Sequence, residues 1–166
     1  MSNVTNASTL TAEITIAAPV NLVWWAWTRS DRITTWFAPK AMIEAKPGGS
    51  FELYFDPSNP DSMSTKGCVF TSVEPMRKLG FTWKGPDDFA DVMNEDDSLT
   101  RVDVTFSEQN GSTYVVVEHK GWGEGELWEK ARSWHEMAWT GVLDSLKKAL
   151  ESGEGSICCA PDEEAG

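Results

Sequence analysis

Few groups in this sequence can do chemistry at neutral pH. There are two histidines and three cysteines, set among nine tryptophans, in 166 residues. His119 closes a run in which Val115, Val117 and His119 alternate with Tyr114, Val116 and Glu118. Alternation puts the first set on one face of a strand. If that face meets the core, a neutral imidazole lies at a cavity wall, where it could bond a ligand carbonyl or act as a base. The alternative is a structural histidine, bonded to a backbone carbonyl where the strand ends. His135 sits in a helical pattern, beside Trp134 and off the main apolar stripe. That position suits a cavity mouth, or a solvated or capping role.

Other chemistries lack their patterns. Two histidines without H-x-x-x-E/H or H-x-H spacing predict no intrinsic metal, and no cofactor is implied. There is no G-x-S-x-G elbow and no usable Cys/His pair for nucleophilic catalysis. Gly48-Gly49 and Gly121, Gly123 and Gly125 lack the context of a phosphate loop. The acidic stretch from Asp87 to Asp97 lacks the ligand order of an EF-hand. Cys158-Cys159 could chelate a soft metal, or could be chance neighbours in a polar tail. Cys68 reads as a small buried strand residue.

These groups need a scaffold, and the longest element comes late. Leu127 to Leu150 contains no Pro, and Leu127, Ala131, Trp134, Ala138, Val142, Leu146 and Ala149 recur at three- and four-residue spacing. That is one stripe of a helix about 35 Å long. Trp128, Trp139 and Leu143 widen it. The partner surface is a series of strands read from alternation: 10–17, 41–45, 50–55, 67–74, 78–84, 99–107 and 113–120. Pro19 opens a short helix, Ser30-Asp31 caps a second over 32–37, and Pro39 ends it. Asn110-Gly111 marks a hairpin. Residues 56–65 and 85–98 read as loops, the second with one helical turn. Short connections between successive strands imply an antiparallel sheet. Residues 1–9 and 152–166 read as flexible ends around one domain at 10–151.

Charge narrows the partners. A net charge of −12 disfavours nucleic acid and anionic membrane surfaces, which require a basic face. No apolar run approaches a membrane span, and the N-terminus lacks a signal-peptide pattern. The expectation is a cytoplasmic, reduced protein, monomeric or homodimeric.

The order of elements, with local signatures, resembles the SRPBCC (START/Bet v-like) superfamily. Within it, the chain is most similar to the family of the activator of heat-shock protein 90 ATPase. The signatures are Ala18-Pro19, Val23-Trp24, Trp36-Phe37-Ala38-Pro39, Gly48-Gly49-Ser50-Phe51, Gly67, Glu74-Pro75, Leu79 and Thr82-Trp83. Thr113, His119-Lys120-Gly121-Trp122, and Trp139 with Leu143, Leu146 and Leu150 complete them. The resemblance covers residues 10–151. It implies an α+β helix-grip fold, in which a curved antiparallel sheet of six to seven strands wraps the C-terminal helix around a cavity. Two short helices follow the first strand.

From the sheet, the cavity is expected to take Phe51, Phe55, Phe70, Phe81, Trp83, Val104, Val117 and His119. The helices would add Trp36, Trp134 and Ala138. The first expected function is binding of a small hydrophobic or aromatic molecule. The alternatives are a chaperone-associated protein-binding module, or a cyclase- or hydrolase-type enzyme using His119. Fold alone does not choose between them.

Overall fold

Alternating strands, two short helices and one long helix assemble in the order the patterning predicts. The computed structural model describes residues 9–56, 58–59, 61, 63–95 and 99–151. Residues 1–8 and 152–166 of the terminal segments read as flexible, with Cys158-Cys159, and Asp96 and Asp97 of the acidic loop lie outside the described residues.

Strand β1 (Leu10–Ile16) leads into helices α1 (Val20–Thr28) and α2 (Ser30–Ile33). Strands β2 (Lys40–Ile43), β3 (Phe51–Tyr54), β4 (Phe70–Glu74) and β5 (Lys78–Trp83) follow. A 3-10 turn at Asp87–Phe89 and helix α3 (Ala90–Met93) interrupt the acidic segment. Strands β6 (Thr100–Gln109) and β7 (Ser112–Lys120) then precede helix α4 (Glu126–Glu151).

The seven strands divide into two antiparallel sheets. Five pair in the order β1-β7-β6-β5-β4, and β2 pairs with β3. The β6–β7 hairpin turns at Asn110 (φ 55) and Gly111 (φ 84), the two positive φ values that a two-residue hairpin requires. The second short helix is shorter than its composition suggested. It ends at Ile33, and Arg29, not Ser30, is its cap residue. The Ser30 hydroxyl instead accepts from Ile43 N at 3.0 Å, tying the helix to β2.

Helix α4 lies across the concave face of the larger sheet. Its C-terminal end is fixed to β1: Ala17 N donates to Glu151 Oε2 at 2.7 Å, and Lys147 Nζ donates to Thr15 O at 3.0 Å. Ser145 Oγ donates to Trp36 O at 2.9 Å, which sets the helix against the segment after α2.

The buried face of α4 is rotated from the expected stripe. Ala131, His135, Trp139, Leu143, Leu146, Ala149 and Leu150 are buried, whereas Trp134 is 42% exposed. His135 is therefore neither solvated nor a cap. Opposite this face, Phe51, Leu53, Leu79, Phe81, Val102, Val104, Val115 and Val117 form the sheet side of the core. Phe55 departs from the pattern, because β3 ends at Tyr54 and Phe55 is 37% exposed. No helix among the described residues is long and apolar enough to cross a membrane.

Candidate functional site

Two histidines from consecutive elements, β7 and α4, meet on the buried face of the helix. The His119 ring on β7 and the His135 ring on α4 lie 5.3 Å apart, both essentially without solvent exposure. Four tryptophans surround them: Trp83, Trp122, Trp134 and Trp139. An indole N–H can only donate, so the hydrogen bonds assign both tautomers. Trp139 Nε1 donates to His119 Nδ1 at 3.1 Å, so the proton is on Nε2, which donates to Thr100 Oγ1 at 2.8 Å. Trp83 Nε1 donates to His135 Nε2 at 3.2 Å, and His135 Nδ1 donates to Ala131 O at 2.8 Å.

Both imidazoles are thus neutral, with every nitrogen engaged. Desolvation by burial is the main cause that disfavours the charged form. It holds His119 well below the usual imidazole range, and the neighbouring His135 lowers it further. His135 is lowered to about 4 by the same desolvation, opposed by its bond to the Ala131 carbonyl. An imidazole with both nitrogens bonded inside a tryptophan cage braces the structure, and neither ring presents a free nitrogen to a substrate.

Beside this network the core does not close. A cavity of about 250 Å³ remains between the end of β5 and the middle of α4. From α4 come Trp134, His135, Ala138, Trp139 and Val142. Trp83 and the Lys84-Gly85-Pro86 segment form the sheet side, and Phe37 comes from the turn after α2. Phe55, Met63 and Ser64 border the opening, where Phe55 and Met63 are partly exposed. Apart from Ser64, Lys84 and the engaged His135, the side chains of the wall are apolar.

The wall is held by short bonds. Gly85 N donates to Asn94 Oδ1 at 2.8 Å, and Asn94 Nδ2 donates back to Gly85 O at 3.1 Å. A Cβ at Gly85 would fall 2.5 Å from Met93 Sδ, so a larger residue here would have to displace the Met93 thioether. Met63 N donates to Asp87 Oδ1 at 3.1 Å, which fixes Met63 beside the opening.

The residues expected at a ligand site separate into two groups. Phe55, Trp83, Trp134 and Ala138 line this cavity. Trp36, Phe51, Phe70, Phe81, Val104, Val117 and His119 are core residues away from its wall. Phe51 and Phe81 stack with ring centroids 3.8 Å apart, Phe70 meets Phe51 edge-on, and Val104 pairs directly with Val117. These side chains fill most of the space between sheet and helix. Trp36 spends its indole N–H on Ala26 O at 2.9 Å, and its neighbour Phe37 reaches the cavity instead.

Sequence reasoning also missed Met63, Lys84 and Trp139 as wall residues. Trp139 had a signal, its four-residue spacing from His135 on one helix face. Met63 and Lys84 had none, because a loop and a strand end carry no periodicity. Among the described residues, no three His, Cys, Asp or Glu side chains cluster as metal ligands.

Residues 17–151 match the family model described as activator of Hsp90 ATPase homolog 1-like protein. No curated protein sequence is significantly similar to this chain. Solved structures share the fold at low identity. Protein MLL2253 from Mesorhizobium loti is 22% identical, with a TM-score of 0.71 over 88% of this chain and 98% of that one. The Aha1 dimer from Colwellia psychrerythraea is 20% identical, with a TM-score of 0.66 over 89% and 98%. CalU16 from Micromonospora echinospora is 22% identical, with a TM-score of 0.61 over 86% and 73%.

Proposed function

This chain belongs to the activator of Hsp90 ATPase homolog 1-like family, and from that premise we propose that it is a binding module for a small apolar or aromatic molecule. The observation that carries this reading is the cavity of about 250 Å³ beside Trp83 and Trp139, with its largely apolar wall. An apolar cavity of about 150 Å³ holds benzene, so this one suits a molecule of one or two rings. The indoles of Trp83 and Trp139 already have acceptors, and they offer the ligand faces to stack on. Binding is favoured over catalysis because both histidines have their nitrogens engaged.

Calorimetric titration with indole and with p-cresol tests the reading. At about −0.5 kcal/mol for each of about ten heavy atoms, the expected Kd is on the order of 0.1 mM. Ala138→Trp fills the cavity and is expected to weaken binding at least about tenfold. Absence of binding by either compound at millimolar concentration would overturn the reading. Undiminished binding in the variant would move the site elsewhere.

A second reading, a protein-binding module, is favoured by one observation. Met137, 71% exposed, faces outward from α4, and Trp134, 42% exposed at the cavity edge, lies three residues before it. A similar structure from Colwellia psychrerythraea is itself described as a dimer. Light scattering across a concentration series tests self-association. A dimer that Met137→Glu dissociates supports this reading, and a monomer at every concentration removes the second copy as the partner.

A further inference from the structure

The apolar cavity continues into a polar groove. Met63, Ser64 and Lys84 border both, and the groove runs on past Lys66, Asp87 and Asn94. A chamber of one character opening onto a groove of the other suits a molecule with two ends.

The charges at the junction set the sign of the polar end. Asp61 is held by Lys66 at 2.8 Å, and Asp87 accepts from Met63 N. Lys84 is half-buried, one residue beyond Trp83, and among the described residues it forms no ion pair. Other lysines among the described residues also lack an ion pair, and what distinguishes Lys84 is its place on the wall of both the apolar cavity and the groove. Its stem can lie along the apolar wall while the ammonium stays at the wet junction. The ammonium lies on the groove side of the junction, beside Gly67, where a Cβ would stand 3.6 Å from Lys84 Nζ.

We propose that the ligand is an amphipathic organic anion, with its apolar body in the cavity and its acid group on the Lys84 ammonium. This rests on the cavity reading above and adds the charge of the ligand. The groove acids and the net charge of −12 oppose an anion, so a modest gain is expected. A partly screened ion pair gives about fivefold.

The test uses three probes with the same body: 3-phenylpropanoate, 3-phenylpropanamide and 3-phenylpropylamine, at a pH of about 7.5 where the acid and the amine are charged. The indole N–H resonances of Trp83 and Trp139 in the 15N-labelled full chain report occupancy. The acid is expected to bind about fivefold tighter than the amide, with the amine weakest. Lys84→Met is expected to bring the acid-to-amide ratio to about one, and Lys84→Arg to restore the preference. Equal affinity of acid and amide in the wild type, or an amine that binds best, overturns the anion inference and leaves the cavity reading standing. A Lys84→Met protein that keeps the preference overturns the role of Lys84. No shift with any of the three overturns the cavity reading together with this one.

Discussion

Acidification should destabilise this protein well above the pH at which its carboxylates protonate. The cause is His135, neutral in the fold and held at about 4, against a free imidazole near 6.5. Between those values the unfolded chain binds more protons than the folded one. Stability therefore rises with pH, is fully present above about 6.5, and is lost as pH falls toward about 4. For His135 alone the loss is about 2 kcal/mol between pH 7 and 5, and about 3 kcal/mol by pH 4. His119, lowered further, adds loss in the same direction. The lowered carboxyls of Asp61 and Glu151 lose their contribution at lower pH, so the upper part of the window isolates the histidines. Urea unfolding followed by circular dichroism reads the effect. With a slope of about 2 kcal/mol per molar, the midpoint should fall by at least about 1 M from pH 7 to 5. His135→Gln should reduce that dependence. An unchanged midpoint over this range would refute the argument that both imidazoles are held neutral, and a His135→Gln protein with the full dependence would exonerate His135.

Three further substitutions test the packing. Trp139→Phe keeps a ring but removes the donor to His119 Nδ1, leaving a buried acceptor unpaired, and should cost about 1–3 kcal/mol by urea unfolding; an unchanged stability would contradict the assigned tautomer. Val117→Asp puts an unpaired carboxylate at a fully buried site facing Val104, so a loss of several kcal/mol in the same assay is expected. Gly111→Ala places a side chain at φ 84 in the β6–β7 turn and should cost about 1 kcal/mol, read as a small drop in melting temperature.

Much of the fold was legible because it is written in local periodicity. Leu10–Ile16, the Asn110-Gly111 hairpin and the uninterrupted helix from Glu126 each carry their own pattern. The site was less legible, for a physical reason. A stripe drawn from apolar residues alone excludes histidine, so it turned α4 toward Trp134 and away from His135. Buried, His135 accepts from the Trp83 indole N–H, 52 residues earlier in the chain. Such a pairing has no signature at either position. His119 faces inward as alternation predicts, but Trp139, Trp122 and Trp83 close over it. Phe51, Phe70 and Phe81 sit on the expected face and pack against one another, and the cavity lies at the Trp83 end instead. Which inward residues fill a core and which line a void depends on volumes contributed from several elements at once.

The most direct test of the binding account is a crystal structure of the protein soaked with 4-bromophenol, whose bromine is located by anomalous scattering. The account predicts a bromine peak inside the cavity, between the Trp83 and Trp139 rings and Ala138, with the backbone of β5 and α4 unmoved. A cavity without a peak, or one closed by its own side chains while bromine sits only on the outer surface, would contradict it.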